Sequence, residues 1–218
     1  MLEIRWHGRG GQGAKTASQL LAVAFLKAGR FVQAFPEYGP ERTGAPILAY
    51  TRVDEQPIRA HSAIIHPNLA VVLDPSLLRE QHVTDGLSHE GLLVVNSGQS
   101  GRVLEFSRVV APVLSVPGDD LAKEAGSRHT NTVMTGVISA WLGEPSLDQL
   151  LSAADEVLAR LSPPLRAGAR AAIRLGFAYG LAADGRKPEA GTAKEGDRHV
   201  ETASRDLAGT PRGTNSTG

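Results

Sequence analysis

Hydrophobic residues along this chain occur either as short continuous runs or at intervals of three and four residues. The continuous runs at 69–73 and 91–96 are typical of central strands that are covered on both faces. Shorter runs bounded by glycine, proline and charged residues indicate further strands. In chain order, strands are predicted at 2–6, 31–35, 47–53, 57–59, 69–73, 91–96 and 109–116.

Intervals of three and four residues predict helices in the rest of the chain. The segment 14–28 follows a glycine-rich loop and is closed by Gly29, a residue type that favours the position just beyond a helix. The segment 131–142 is rich in small residues, so we expect Gly136 and Ala140 to let it pack closely against a neighbour. Helices are predicted at 14–28, 119–125, 131–142, 146–161 and 165–183.

The alternation of strands and helices predicts an α/β fold built on a doubly wound, mostly parallel, Rossmann-like sheet. We expect a β-hairpin excursion between 47–53 and 57–59, and a helical C-terminal part. Ligands of such folds bind beyond the carboxyl ends of the strands. The loops that fall at this edge are 8–13, 36–46 and 96–101.

The chain divides into an α/β domain at 1–183 and a tail at 184–218, which we expect to be flexible. The tail has no hydrophobic periodicity and no aromatic residue, and its charges are scattered. Val200 and Leu207 are its only sizeable aliphatic residues. Such a segment buries too little apolar surface to offset the entropy lost on ordering.

Composition narrows the possible classes of function. The 218 residues include 23 basic and 23 acidic side chains without a basic stripe, which argues against nucleic acid as a partner. There is no cysteine, hence no thiolate nucleophile and no cysteine ligand for zinc or an iron–sulfur cluster. The first residues lack a signal-peptide pattern, and no apolar run reaches the ~20 residues of a membrane helix. We therefore expect a cytoplasmic protein without a membrane partner.

The glycine-rich stretch at 8–13, with the sequence GRGGQG, joins the first predicted strand to the first predicted helix and fits the pattern G-x-G-x-x-G. Glycines at such a turn accept positive φ and leave room for a ligand, and the N–H groups of the helix start attract an anion. The same glycines could serve only to make a tight turn. A dinucleotide site would also need an acidic residue after the second strand, where Glu37 follows Pro36.

Gln12 distinguishes this loop from the generic pattern, because a long polar side chain stands between glycines. Its amide could hydrogen-bond a ligand or tie the loop to a neighbouring segment. His7 precedes the loop, and we expect a buried core imidazole there rather than a ligand contact. The candidate anion-binding residues of the loop are Gly8, Gly10, Gly11, Gln12 and Gly13.

The loop at 36–46 combines Glu37, Tyr38, Glu41 and Arg42 with prolines and glycines. Tyrosine and arginine often anchor protein interfaces, and Arg42 could instead pair with a phosphate. Nothing in the spacing brings the two carboxylates together for acid–base catalysis. The seven histidines lack metal-binding spacing, and there is no G-x-S-x-G elbow. The sequence therefore predicts binding loops without a catalytic residue or a metal site.

Together these motifs resemble the gamma subunit, or gamma domain, of the 2-oxoacid:ferredoxin oxidoreductases. The glycine loop with Thr16-Ala17 is similar to the opening of that family, and the stretch 36–44, PEYGPERTG, is similar to its second signature. The resemblance covers about residues 2–180. Departures are Thr43, where a second basic residue is common, and Asn68, where aspartate is common. Further pieces in the order of the family are Pro57-Ile58, 71–75, 94–97 and 131–136.

The resemblance implies a subunit of a complex that oxidatively decarboxylates a 2-oxoacid and transfers the acyl group to coenzyme A. In that family, thiamine diphosphate, Mg²⁺ and the 4Fe–4S clusters are held mainly by other subunits, and ferredoxin or another acceptor takes the electrons. The chain would be inactive alone and would assemble with alpha, beta and delta-type subunits. The glycine loop and Arg42 would bind coenzyme A phosphates. The residues expected at a subunit interface are Glu37, Tyr38, Glu41 and Asn131.

Two other classes of function stay open from the residues alone. One is a free-standing dinucleotide-binding dehydrogenase or regulator, for which an ordered cofactor on the isolated chain would be evidence. The other is a purely structural interaction subunit that binds no ligand. Enzymes acting on pyruvate, 2-oxoglutarate and branched-chain, indole or aryl 2-oxoacids share this subunit type, so each of these substrates fits the resemblance.

Overall fold

The computed structural model describes residues 1–37, 44–80, 83–98 and 111–184. All five predicted helices are present, and the longest begins at two prolines, which fit the first turn of a helix. The strands are β1 Leu2–Arg9, β2 Phe31–Pro36, β3 Pro46–Asp54, β4 Leu69–Val72, β5 Leu92–Asn96 and β6 Val113–Val116. The helices are α1 Ala14–Lys27, α2 Leu77–Glu80, α3 Gly118–Glu124, α4 Thr130–Leu142, α5 Leu147–Val157 and α6 Pro163–Asp184.

The six strands form one mixed sheet in the order β2-β3-β1-β4-β5-β6. Strands β1, β4, β5 and β6 pair in parallel, whereas β3 pairs antiparallel with both β1 and β2. Among the strands of the described residues, β3 is therefore the only reversed one. The predicted α/β class is confirmed, and the first strand of the chain lies in the interior of the sheet.

The hairpin of the sheet differs from the expected one. The segment 57–59 forms no strand, and β3 instead pairs with β2 along Phe31–Pro36. Because β3 has β1 on one edge and β2 on the other, neither edge is free to accept a return strand. The last predicted strand also begins later than expected, at Val113, directly after Pro112. Proline lacks the N–H group that a strand interior needs.

Both faces of the central strands are covered by apolar side chains, as the continuous runs predicted. On one face, Leu69 and Val71 of β4 pack with residues of α1 and α4. On the other face, Ala70 and Val72 pack with α2 and with the segment around Val83. This alternation follows from the two-residue period of a strand.

Helix α1 lies between the sheet and an outer layer of helices. Its residues Leu21 and Phe25 belong to the cluster that covers the sheet. Its residues Leu20 and Ala24 belong to a separate cluster with α5 and α6, which includes Ile173. Helix α1 is therefore packed on two sides.

Helices α4 and α6 approach each other closely enough for backbone contact. A Cβ atom added at Gly136 would lie 2.4 Å from the carbonyl oxygen of Ile173, and one at Gly176 would lie 2.1 Å from that of Val133. The expected close packing at Gly136 is confirmed. Within the described residues, no helix is long and apolar enough to cross a membrane.

Candidate functional site

A cleft of about 320 Å³ opens at the carboxyl edge of the parallel strands, where ligands of α/β sheets bind. It lies between the glycine loop after β1, the residues after β4 and β5, and the start of α4. The residues that line it are Gly11, Gln12, Leu73, Asp74, Pro75, Asn96, Asp119, Arg128, His129 and Thr130.

The glycine loop delivers the chain into α1 without a side-chain cap. Gly11 and Gly13 have φ of 94° and 79°, a region that residues with a Cβ rarely adopt. Gly13 stands at the cap position, and the first turn carries no acidic residue. In the described residues, no acceptor is found for the first-turn N–H groups of Ala14, Lys15 and Thr16. This helix end is therefore electropositive.

Helix α4 starts beside α1 and is also uncapped. Its cap position, His129, makes no side-chain cap bond, and its first turn has no acidic residue. Asn131 Nδ2 donates to the carbonyl oxygen of Gly13 at 3.1 Å, which joins the two helix starts. The Oδ1 atom of Asn131 is buried and has no hydrogen-bond partner in the described part of the chain. Two positive helix ends thus meet at the cleft.

The remaining glycines of the loop have structural contacts. Gly8 lies within β1, and a Cβ there would be 3.3 Å from both Ala14 and Leu73. The N–H of Gly10 donates to the carbonyl oxygen of Ala45 at 2.8 Å, which continues the β1–β3 pairing past the strand end. Of the predicted anion-binding residues, Gly11 and Gln12 line the cleft, whereas Gly8 and Gly10 shape the loop.

Gln12 ties the loop to the protein, which is one of the two roles left open by the sequence. Its Oε1 accepts from the N–H of Arg9 at 2.7 Å, and its Nε2 donates to Asp74 Oδ2 at 2.9 Å. Asp74 also accepts from the backbone N–H of Ser76 at 3.0 Å, and its Oδ2 forms an ion pair with Arg9 Nε at 3.2 Å. Both polar atoms of the Gln12 amide are therefore engaged within the chain.

The sequence analysis assigned neither Asp74 nor Arg9 a role at the cleft. Partial burial raises the pKa of Asp74, but hydrogen bonds from Ser76 and Gln12 and the charge of Arg9 outweigh it, so its pKa lies below the ordinary value. Because β4 pairs in parallel with β1, the residue after β4 has to lie beside the glycine loop. The parallel pairing of β1 with β4 would have identified Asp74 as a neighbour of the glycine loop, but the sequence alone does not specify strand partners.

Asp119 is a second carboxylate at the cleft that the sequence did not identify. Its Oδ1 accepts from Asn96 Nδ2 at 3.1 Å and from the hydroxyl of Thr130. Asn96 Nδ2 donates also to the carbonyl oxygen of Leu73 at 3.0 Å. These bonds connect the ends of β4 and β5 with the starts of α3 and α4, and they give Asp119 two donors of its own.

An apolar pocket of about 160 Å³ adjoins the polar cleft on the helix side of the glycine loop. The two cavities share Gly11 and His129, so they meet at the point where α1 and α4 begin. The other residues that line this pocket are Gly13, Thr16, Asn131, Thr132, Leu158, Leu161 and Ala169. Its exposed lining is mostly apolar, unlike that of the cleft.

Glu37 occupies a different place from the acidic residue of a dinucleotide site. It follows β2, which is separated from β1 by the reversed strand β3. Its carboxylate accepts from the hydroxyl of Tyr50 in a short hydrogen bond. Burial raises the pKa of Tyr50, and the bond to Glu37 raises it further. Glu37 is thus bound within the chain, two strands away from the glycine loop.

The loop that contains the second signature returns to the glycine loop. The N–H of Gly44 donates to the carbonyl oxygen of Gly10 at 3.4 Å, and Arg9 Nη1 donates to that of Gly44 at 3.2 Å. The expected juxtaposition of these two loops is therefore present at Gly44. The predicted site residues Tyr38, Glu41 and Arg42 lie outside the described residues.

His7 is a buried core imidazole, as expected. Its side chain is on β1 and is 3% exposed, and its Nε2 accepts from Arg5 Nε at 3.0 Å. Burial and, to a smaller extent, the charge of the Arg5 guanidinium lower the pKa of His7 to about 3. Among the described residues, no group of histidine, aspartate and glutamate side chains is arranged to hold a metal ion.

The model of the family described as pyruvate ferredoxin/flavodoxin oxidoreductase matches residues 3–179. The pyruvate/ketoisovalerate oxidoreductases common subunit gamma of Pyrococcus abyssi is 44% identical over 156 residues, covering 70% of this chain and 84% of that subunit. Pyruvate synthase subunit PorC of Thermotoga maritima is 41% identical over 166 residues, covering 74% of this chain and 84% of that subunit.

Solved structures show the same fold. The crystal structure of pyruvate oxidoreductase subunit PORC from Thermotoga maritima has a TM-score of 0.70 at 36% identity, covering 81% of this chain and 95% of that chain. The 2-oxoglutarate:ferredoxin oxidoreductase from Magnetococcus marinus has a TM-score of 0.68 at 20% identity, covering 88% of this chain and 33% of that chain. The resemblance recognised in the motifs is confirmed, and the chain belongs to the pyruvate ferredoxin/flavodoxin oxidoreductase family.

Proposed function

We propose that this chain is a gamma-type subunit of a 2-oxoacid:acceptor oxidoreductase complex, which oxidatively decarboxylates a 2-oxoacid and forms an acyl-coenzyme A. The relatives named subunit gamma and subunit PorC support this assignment. Within the complex, the chain supports assembly and binds coenzyme A at the glycine loop. The observation that carries the coenzyme A site is the convergence of two uncapped helix starts on one cleft.

The cleft suits the phosphates of coenzyme A for two reasons. Free N–H groups at a helix start donate to phosphate oxygens, and the helix dipole favours negative charge there. Arg128, an exposed cationic side chain, also lines the cleft. Arg42, two residues before Gly44 in the sequence, is proposed as a further phosphate partner, because a guanidinium can offer two parallel donors.

The carboxylates of the cleft do not oppose this proposal. A free carboxylate would repel a phosphate. Asp74, however, accepts from three donors of Gln12 and Ser76 and forms an ion pair with Arg9. Asp119 accepts from two side chains, as described above. Protein donors thus engage both carboxylate oxygens of Asp74 and Oδ1 of Asp119, and the uncapped helix starts give the cleft its positive end.

The chemistry of the complex is divided between chains in this proposal. With no cysteine, this chain supplies no thiolate for a 4Fe–4S cluster, and we assign the clusters, thiamine diphosphate and Mg²⁺ to alpha, beta and delta-type subunits. Ferredoxin or another acceptor then receives electrons from those subunits. Tyr38 and Glu41 are proposed to contact a neighbouring subunit. Glu37 and Asn131 have intrachain partners, and they are proposed to support the same subunit contact by holding the adjacent segments of this chain in place.

A test of the coenzyme A site uses Gly11→Ala, with Gly29→Ala as its matched control. Both glycines have positive φ, 94° and 83°, and both have open space where a Cβ would stand, so alanine strains both turns alike. Only Gly11 borders the cleft. In the reconstituted complex, Gly11→Ala should raise the KM for coenzyme A roughly tenfold, as expected for the loss of one charge-assisted hydrogen bond. Gly29→Ala should leave it unchanged.

Arg42→Ala should raise the same KM by roughly ten- to a hundredfold, because a charge-assisted bond to phosphate is lost. The KM for the 2-oxoacid should stay unchanged in every variant, since that substrate reacts on other subunits. An unchanged KM for coenzyme A together with weaker subunit association would instead identify the loop as an interface. The isolated chain, supplied with 2-oxoacids, thiamine diphosphate, coenzyme A and a viologen dye, should show no turnover.

A further inference from the structure

Strand β2 is an edge of the sheet, and no strand of the described residues pairs with its outer side. The N–H of Glu37 donates to the carbonyl oxygen of Leu48, which continues the pairing of β2 with β3. Because hydrogen-bonded residues alternate along an antiparallel pair, the odd-numbered residues of β2 direct their N–H and C=O groups at β3. The even-numbered residues, Val32, Ala34 and Pro36, therefore direct theirs away from the sheet.

The outer edge of β2 lacks the features that commonly prevent sheets from joining at their edges. Such features are charged side chains, bulges and proline residues within the strand. Strand β2 has no charged residue, its register with β3 is continuous, and its one proline is the last residue. The N–H groups of Val32 and Ala34 make no hydrogen bond within the described part of the chain. The edge is therefore a template for another strand.

We propose that β2 pairs with β2 of a second copy of this chain, antiparallel and across a two-fold axis at Gln33. This inference is independent of the proposed function. In this register, Val32 lies opposite Ala34 of the second copy, and each exchanges an N–H and a C=O with the other. The axis creates two such pairs, which together make about four hydrogen bonds. Pro36 lies beyond the paired residues, so its missing N–H removes no bond.

The aromatic side chains of β2 favour a second copy over an unrelated strand. Phe31 is 46% exposed and lies on the same face of the strand as Phe35. The two-fold axis places Phe31 opposite Phe35 of the second copy, in a non-hydrogen-bonded pair, where side chains are closest. Phe35 already packs against Tyr50, with ring centroids 5.1 Å apart. Each copy thus supplies the ring that covers the exposed Phe31 of the other.

The register follows from the same residues. An axis at Ala34 would place Val32 opposite Pro36, which cannot donate, and Phe31 opposite Glu37. Only the axis at Gln33 uses every donor of the edge and pairs the aromatic rings. A single strand pair is smaller than the roughly 1,200–2,000 Å² buried in stable interfaces, so we expect a reversible dimer with a dissociation constant in the micromolar range or above.

A single introduced cysteine tests the axis directly, because the chain contains no cysteine of its own. In Gln33→Cys the two thiols face each other across the axis. The Cα atoms of such a pair are about 4.5 Å apart, which a disulfide can span. Under mild oxidation, full-length Gln33→Cys should form a covalent dimer at least about tenfold faster than Ala178→Cys, because pairing raises the effective thiol concentration. Ala178 is an exposed residue of α6.

Sedimentation velocity at rising concentrations of the full-length chain measures the dimer without a cross-link. Phe31→Glu should raise the dissociation constant about tenfold, because two cross-strand aromatic pairs are lost. Leu26→Glu is the matched control, since Leu26 is 58% exposed but lies on α1. It should leave the dissociation constant unchanged. Melting temperatures of both variants show that the chain is still folded.

Four results would overturn the proposal. A wild-type chain that stays monomeric at every concentration would refute the pairing. Oxidation of Gln33→Cys no faster than that of Ala178→Cys would refute it as well. A disulfide in Ala34→Cys but not in Gln33→Cys would refute the register. In the reconstituted complex, a Gln33→Cys thiol that becomes inaccessible to a maleimide without forming a disulfide would assign the edge to a strand of another subunit.

Discussion

The side-chain amide of Asn131 donates to the main-chain carbonyl of Gly13 across 3.1 Å, although 118 residues separate the two in the sequence. This bond fixes the start of α4 against the start of α1. A Cβ on Gly13 would lie 2.5 Å from the same amide nitrogen, so position 13 has no room for a side chain. The relative position of the two helix starts therefore depends on one glycine and one asparagine.

Asn131→Asp should destabilise the chain at neutral pH, because a carboxylate would face the Gly13 carbonyl oxygen instead of donating to it. The expected loss is about 1–3 kcal/mol, the cost of a buried polar group without a partner. Repulsion raises the pKa of the new carboxyl, so stability should recover as pH falls and the group becomes a donor. Urea unfolding at pH 7 and pH 5 measures this.

Asn131→Ala is the control for that substitution. It removes the orphan Oδ1 together with the donor, and Gly13 keeps a second donor in the N–H of Ala17 at 2.9 Å. The unfolding free energy should therefore change by less than about 1 kcal/mol and should not depend on pH over this range. Equal losses in the alanine and aspartate variants would contradict the repulsion between a carboxylate at position 131 and the Gly13 carbonyl oxygen.

Asp74→Asn should lower the unfolding free energy by about 1–2 kcal/mol at pH 7, since the ion pair with Arg9 is lost and the charge-assisted hydrogen bonds from Ser76 weaken. The folded-state pKa of Asp74 lies below its ordinary value of 3.8, so its contribution is complete above that value. The contribution disappears as pH falls through the folded pKa. The gap between wild type and Asp74→Asn should therefore close in acid, which denaturant unfolding at pH 7 and below pH 3.8 will measure.

The matched control for Asp74 is Asp155→Asn, which removes a surface carboxylate whose partner is Arg170. The side chain of Asp155 is 55% exposed, so this pair should contribute less than about 1 kcal/mol. Hydrogen exchange of the glycine-loop amides adds a second readout. Faster exchange in Asp74→Asn but not in Asp155→Asn is expected, and equal protection would argue against the bridge through Gln12.

Gly176→Ala should destabilise the helix pair α4–α6 by about 2–3 kcal/mol or more, because the new Cβ would lie 2.1 Å from the backbone oxygen of Val133. Backbone cannot rotate aside as a flexible side chain does. Ala178→Gly, on an exposed position of the same helix, should cost only about 1 kcal/mol through helix propensity. A smaller loss at position 176 than at position 178, measured by thermal unfolding, would refute the backbone contact.

Removal of the residues after Ala183 should leave the fold of the α/β domain intact. The removed stretch contains Val200 and Leu207 as its sizeable aliphatic residues, so it has little apolar surface to bury. The melting temperature of the truncated chain should stay within a few degrees of the full-length value, since ~1 kcal/mol corresponds to roughly 2–8 °C for a domain of this size range. A large fall in melting temperature, or a loss of complex assembly, would show that the tail binds a partner.

The sequence predicted local structure well, because local structure follows from hydrophobic period and turn chemistry. The runs at 69–73 and 91–96 became central strands, and the glycine loop opened a helix, as their patterns indicated. Strand partners were harder, since a period of two specifies a strand but not its neighbour. The sequence therefore did not reveal that β3 lies between β2 and β1. For the same reason, the return strand predicted at 57–59 was wrong.

At the candidate site, too, local features were predictable from the sequence and long-range contacts were not. Gly11 and Gln12 were found because a glycine-rich loop before a helix has a local signature. The contacts of Gln12 with Asp74, and of Asn131 with Gly13, join segments that are 62 and 118 residues apart. No local pattern encodes such contacts, because they depend on which strands are neighbours and on how α4 packs across them.

The interior position of β1 has a consequence for synthesis of the chain on the ribosome. Strand β1 pairs with β3 on one edge and with β4 on the other. Both edges can be paired only after the chain has been synthesised as far as Val72, the last residue of β4. Asn131 emerges later still, and α6 last. The nascent chain therefore carries the apolar faces of β1 and α1 uncovered through most of translation, a state that invites chaperone binding. The cleft is complete only once the start of α4 has been synthesised.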